Sequence, residues 1–401
     1  MTMTQAELLQ IVAQASSLSD YLKNGLFKLG TAQVNEQEIG DAKLTHWCQV
    51  VAQGNWEKFQ KRLQWDGLDI DAANQIIKNL NIADNQPLPN WAETLREIIQ
   101  TASSFSSQDE SKISVAPENP LLFEDVLLPA LSVARQKLLI CLDSASFSPD
   151  YLPLKLLSEA TYSSLERNLL ARLVTLCAKT LEFEFYRFRP LGHSLLNLLE
   201  EVEKGSNSKI HYNAFVQKLL NDGLLAFFQQ YPVLGRLVAT RVDFWVESTA
   251  EFLQRLKTDI WEIQKVFGCA TDSQEKVALT KVVEIKPSLS DSHNRGRSVT
   301  AITFESGLKL VYKPKDLALE VAYIRFLDWC NQGNIPLSLK VLKVLNRQGY
   351  GWVEYVEQLP CKDEAAARRL YKRVGMLLCL LYVGVAELRY DRTTVPCSSG
   401  E

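Results

Sequence analysis

Between Ser290 and Pro314 the chain reads SDSHNRGRSVTAITFESGLKLVYKP, a stretch that forces a β-hairpin on a chain whose other long segments are patterned as helices. Val299 to Phe304 alternates as a strand, Glu305-Ser306-Gly307 supplies the turn, and Leu308 to Tyr312 returns. Charged groups crowd this hairpin: Asp291, His293, Arg295, Arg297 and Lys313. The first four are spaced by two, so an extended segment would project all of them to one side. Lys313 closes the returning strand, where an ammonium can meet a phosphate. An imidazole beside a carboxylate suits proton or phosphate chemistry near neutral pH, since histidine titrates there and the acid can fix its tautomer. The bland alternative is a loop Asp capping a turn next to an exposed His.

The rest of the chain is helical in pattern. Its 401 residues allow two or three domains. Residues 1–100 alternate helical stretches with turns, and Trp47, Trp56, Trp65 and Trp91 offer large apolar surfaces for a small core. Residues 101–120, TASSFSSQDESKISVAPENP, read as a polar linker or exposed loop. Helices then dominate residues 121–270. Ser163 and Glu166 have capping-box spacing ahead of an apolar stripe of Leu165, Leu169, Leu173 and Leu176. Tyr231-Pro232 introduces a long helix with Val233, Leu237, Val242 and Trp245 as its expected buried side. Residues 271–383 turn to strands and a final helix with an apolar stripe of Ala366, Leu370, Val374, Leu377 and Leu381. Residues 384–401 lose the pattern.

Composition narrows the partners. A formal net charge of −3 gives no basic field for nucleic acid or anionic membrane. Eight Cys without a CxxC pair or a His at ligand spacing argue against a zinc site or a disulfide framework, and for buried reduced thiols in a cytoplasm. The amphipathic N-terminus lacks the basic and apolar regions of a signal peptide. The most apolar stretch, Leu121 to Leu142, is broken by Glu124, Asp125, Pro129, Arg135 and Lys137, which rules against a membrane span.

Phosphoryl transfer to a peptide hydroxyl needs cations on the triphosphate, a carboxylate for the hydroxyl and ligands for magnesium. Lys313, on a strand after a Gly-containing turn, has the setting of a kinase strand lysine, with Lys315 as a weaker candidate. Arg297 either positions phosphate or braces the hairpin. Gly296 permits a bulge or a close backbone approach. Glu320 follows Lys313 by seven residues on a predicted helix and is either its partner or an exposed carboxylate. Trp352, Glu354 and Tyr355 fit a strand with alternating burial. His46, His193 and His211 have no partner at metal spacing.

DSHNRGRSV, SGLKLVYKP, YGWVEYV and Pro360-Cys361 carry a resemblance to the dehydratase half of class II lanthipeptide synthetases, the LanM enzymes, from about Trp91 onward. In that family a kinase-like domain of the lipid and protein kinase type phosphorylates Ser and Thr of a leader-bearing precursor peptide with ATP and Mg2+. The same domain eliminates the phosphate to leave dehydroamino acids, and a separate zinc cyclase adds Cys. The resemblance implies an α+β, predominantly α-helical fold, in which a helical N-terminal region leads into an incomplete kinase-like dehydratase domain. It assigns elimination to Asp291 and His293 and nucleotide phosphates to Lys313, with no metal ligand carried over.

The family continues into a loop of the form Asp-x-His-x-x-Asn, whereas here Gly384 leads only to Asp391 and the tail. The expectation from this departure is a truncated, frame-shifted or split gene, with the missing C-terminal part as one partner and no dehydration by the chain alone of a Ser/Thr-rich precursor supplied with ATP and magnesium. Leu377, Leu378, Leu380 and Leu381 would then stay uncovered, and the chain would self-associate. Two alternatives stand beside the dehydratase reading: a non-catalytic nucleotide- or peptide-binding fragment, and a helical interaction protein.

Overall fold

A computed structural model of the protein describes residues 3–16, 35–78, 88–105, 120–143, 153–188, 207–268, 281–333 and 335–384. His193, Cys269, Asp391, Cys397, most of the expected linker and the expected tail from 385 onward lie outside these residues. The fold is α+β and mostly helical, with one small antiparallel sheet. Two compact units divide the chain: Met1–Lys137 with Leu169–Val246, and Leu138–Asn168 with Glu247–Glu401.

Ten α-helices precede the strands among the described residues: α1 (Gln5–Ala15), α2 (Asn35–Ala52), α3 (Trp56–Trp65), α4 (Ile70–Lys78), α5 (Asn90–Ser104), α6 (Glu124–Asp143), α7 (Glu159–Phe188), α8 (Asn207–Lys218), α9 (Leu224–Gln230) and α10 (Pro232–Phe267). Thr4 caps α1 in a reciprocal box with Glu7, and Leu8, Ile11, Val12 and Ala15 form its buried stripe at helical spacing. A separate core gathers Leu44, Cys48, Phe59, Leu63 and Ala73 from α2, α3 and α4. Trp47 and Trp56 meet Phe59 edge-on at 5.1 and 5.8 Å, and Trp91 is buried on α5. Trp65 departs from expectation: it is 78% exposed, with the Arg62 guanidinium over its ring.

Two helix readings are corrected by tertiary contacts. The cap of α7 is Ser158, whose Oγ accepts the Thr161 N–H at 3.2 Å, so Ser163 lies inside the helix. The reason is non-local: Leu157 bridges Val282, and the Val282 carbonyl accepts from Ser158 N and Thr161 Oγ1, which fixes where the helix begins. Leu165, Leu169 and Leu173 are buried as expected, and Cys177 continues the stripe. On α10 the buried side runs through Val238, Val242 and Val246, while Val233 and Leu237 are exposed. Cys48 and Cys177 are buried thiols, but Cys141, Cys361 and Cys379 are exposed. No helix among the described residues is long and apolar enough to cross a membrane.

The second unit holds strands β1 (Val282–Lys286), β2 (Thr300–Phe304) and β3 (Lys309–Lys313), then α11 (Ala318–Gln332), β4 (Val344–Arg347), β5 (Tyr350–Glu354) and α12 (Glu364–Gly384). The strands are antiparallel in the order β1-β2-β3-β5-β4. The expected hairpin forms with its turn at Glu305-Ser306-Gly307, and Gly307 takes φ +84°, a conformation that costs glycine nothing. Directly opposed residues share a face of a sheet. One face carries Ile302, Leu310, Tyr312 and Trp352, all buried, and Phe252 of α10 packs on it with its ring 5.2 Å from Tyr312. The opposite face carries Glu284, Lys286, Ala301, Thr303, Lys309, Val311 and Lys313.

Candidate functional site

The strand order sets the site. β1 ends, β2 begins and β3 ends at one end of the sheet, since Lys286 pairs with Ala301, Thr300 with Tyr312, and Lys313 with Gly351. The segment carrying Asp291, His293, Arg295 and Arg297 joins β1 to β2 at that same end, and Lys313 closes β3 there. Lys313 is half-buried and stands on the face opposite α10.

The segment is not extended, and this corrects the expected parity. His293 and Arg297 exchange both backbone hydrogen bonds at 2.9 Å, and Asn294, Arg295 and Gly296 between them take φ 42°, 63° and 89°. Three successive left-handed residues make a tight reversal in a conformation that non-glycine residues occupy at a cost, and such conformations concentrate at functional sites. The turn is held at its base by Leu289 N–H on the Val299 carbonyl and by Val299 N–H on Ser290 Oγ, at 3.0 and 3.1 Å. Asp291 and His293 are exposed at the mouth of this turn.

Sequence reading found the helix that begins at Pro232 but missed that it braces this turn. Glu247, Glu251, Arg255 and Asp259 recur every four residues along α10, so they share one side of the helix. Arg297 Nε donates to both Glu251 oxygens at 3.0 and 3.2 Å, its Nη2 reaches Glu247 at 3.4 Å, and its Nη1 donates to the Asn294 carbonyl at 2.6 Å. Glu251 holds the Arg297 guanidinium well above its ordinary pKa, so its charge is fixed. Of the two roles open to Arg297, the geometry displays the brace. Arg295 pairs with Glu247 at 2.9 Å. Arg255 pairs with Glu251 and donates to the Tyr312 hydroxyl at 2.6 Å, with its guanidinium 4.2 Å over the Tyr350 ring. The one signal available beforehand was the four-residue spacing of these charges, which also suits a solvated helix face.

The other candidates separate clearly. Glu320, in the first turn of α11, forms an ion pair with Lys315 at 2.5 Å. Trp352 is fully buried and donates to Asp259, but burial along β5 does not alternate as expected, since Gly351 and Val353 beside it are buried too. Glu354 pairs with Lys340 at 2.9 Å. A depression on the Lys313 face of the sheet is lined by Glu284, Lys286, Ala301, Thr303, Lys309 and Tyr355. Among the described residues no group of three or more His, Cys, Asp or Glu is placed to hold a metal ion.

Residues 231–387, which contain α10, the sheet and α12, match the family described as domain of unknown function DUF4135. The chain is also 32% identical over 110 residues to the lacticin 481/lactococcin biosynthesis protein LcnDR2 of Lactococcus lactis subsp. lactis, a match that covers 25% of this chain and 12% of that protein. The chain thus spans only a small part of the curated relative that it matches. These two similarities support the resemblance to the LanM-like lanthipeptide synthetases.

Proposed function

We propose that this chain takes part in lanthipeptide biosynthesis as dehydratase-type machinery, acting in the cytoplasm on Ser and Thr of a leader-bearing precursor peptide. The observation that carries this reading is the placement of the Asp291–Arg297 turn and Lys313 at one end of one sheet. A three-strand meander, a helix, and a hairpin whose second strand inserts beside β3 also agree with the small lobe of a kinase-like fold. In kinases a lysine on the third strand holds the nucleotide phosphates, and Lys313 occupies that strand on the face opposite α10. Lys313 is half-buried and shares its face with Lys286 and Lys309, which pair with Glu284 and Glu357, and its ammonium suits the phosphates of ATP. No residue is assigned to Mg2+.

Elimination is the step that the turn itself suits. A base withdraws the α-proton of a phosphorylated Ser or Thr. The C–H electron pair forms the Cα=Cβ bond, and the Cβ–O bond breaks with its pair leaving on phosphate. His293 is exposed for this proton transfer, and Asp291 stands two residues before it. A second reading, nucleotide or peptide binding without turnover, draws on the same Lys313 face.

Two measurements test the proposal. Calorimetric titration with ATP should give binding that Lys313→Ala weakens more than His293→Ala does. Mass spectrometry of a phosphoserine peptide incubated with the chain should show dehydroalanine with the wild type and none with His293→Ala. Binding indifferent to Lys313, together with an unchanged phosphopeptide, would overturn the dehydratase reading.

A further inference from the structure

The Glu247 carboxylate joins two guanidiniums: one oxygen lies 2.9 Å from Arg295 Nε and the other 3.4 Å from Arg297 Nη2. Two arginines converging on one set of anionic oxygens is an arrangement suited to phosphate. They are not equivalent. Arg297 has a side chain only 20% exposed and is engaged by both Glu251 oxygens and the Asn294 carbonyl. Arg295 is 59% exposed and lies two residues from His293 on the left-handed turn. Glu247 is itself 38% exposed, so it can leave by a rotamer change without disturbing the Arg297–Glu251 brace.

We propose that Glu247 is a placeholder for the phosphate of a phosphorylated serine or threonine substrate, which displaces it and is gripped by Arg295 beside His293. The inference rests on the reading of this turn as the elimination site. A phosphate monoester carries more charge and more acceptor oxygens than a carboxylate, which favours the exchange. Once bound, the guanidinium offsets charge building on the departing phosphate and exchanges no proton, while Arg297 keeps the turn in shape through Glu251.

The test is calorimetric titration of the full chain with a phosphoserine peptide and its unphosphorylated counterpart. Arg295→Gln should weaken the phosphopeptide about tenfold, the order expected for losing one charge-assisted contact, with an unchanged melting temperature and partial rescue by Arg295→Lys. Glu247→Gln should tighten binding several-fold, because it removes the competing anion; a merely structural ion pair would not give that gain. If the wild type prefers the phosphopeptide but Arg295→Gln binds it equally, or Glu247→Gln weakens it, the placeholder assignment falls and the elimination reading stands. If the wild type shows no preference, the assignment falls, and dehydroalanine formation sensitive to His293→Ala then decides whether the elimination reading falls with it.

Discussion

Asp259 accepts the Trp352 indole N–H on one oxygen and the Arg347 Nε–H on the other, each at 2.8 Å, so a single carboxylate of α10 fastens both β4 and β5. Asp259 and Trp352 are fully buried, and a buried polar group that loses its partner keeps its desolvation penalty. Asp259→Ala should therefore lower unfolding stability by about 1–3 kcal/mol, the cost of leaving the buried Trp352 N–H without its acceptor, since Arg347 is part-exposed and keeps Glu262. Asp259→Asn, which retains an acceptor for one donor, should cost less. Urea unfolding followed by far-UV circular dichroism measures both. Wild-type stability in Asp259→Ala would mean that the carboxylate is not what fastens the hairpin.

Gly351, opposite Lys313, is needed for packing and not for its backbone angle. A Cβ there would stand 2.5 Å from Leu317 Cδ1 and 2.8 Å from the Leu345 carbonyl oxygen, and the carbonyl belongs to a paired strand that cannot move freely. Gly351→Ala should cost about 1–3 kcal/mol by overpacking, and it should disturb the start of α11, where Leu317 sits. A variant as stable as the wild type would show that Leu317 yields without cost.

The Arg297–Glu251 pair should set the stability of the turn that carries His293. Arg297→Gln and Glu251→Gln should each speed hydrogen exchange of the 289–299 amides, and a double-mutant cycle should return a coupling of about 1–3 kcal/mol. A coupling near zero would mean that the backbone bonds between His293 and Arg297 hold the turn unaided.

The sequence made the β2–β3 hairpin legible because alternation and a Gly-containing turn are local signals, and both survived in the register of Thr303 with Lys309. The shape of the DSHNRGR segment was not legible. Parity treats Asn294 and Arg295 as extended, yet their φ angles are positive, a choice made affordable by bonds to α10 more than 40 residues away. The cap at Ser158 was hidden for the same reason, since a strand residue at Val282 selects it over Ser163. Val233 and Leu237 show the converse error: their hydrophobicity marked a stripe, but the buried side of α10 is set by Val238, Val242 and Val246 one residue around. Charge spacing on α10 was visible throughout and silent, because Glu247 to Asp259 reads alike for a solvated face and for a row of braces.

The Tyr312 phenol gives the sheet an alkaline limit. Burial pushes it up to about 12 from an ordinary value of 10, although the Arg255 guanidinium beside it pulls the other way. Tyr350 is raised to about 12 as well, by desolvation and by the Asp259 carboxylate. The unfolded chain gives up these protons at lower pH than the folded protein does, so the folded state binds more protons in between. Their contribution is complete below the unfolded value near 10 and is lost as pH rises through about 12. Unfolding stability should thus fall steeply above pH about 10. Tyr312→Phe, less stable at neutral pH for want of the Arg255 bond, should show a shallower alkaline fall. Cys177, pushed up to about 12 by burial, acts in the same direction, so Cys177→Ala serves as the control that isolates the tyrosine share. Denaturant midpoints measured across this range, with phenolate absorbance at each pH, decide the matter: an alkaline slope identical in wild type and Tyr312→Phe would place the limit elsewhere in the fold.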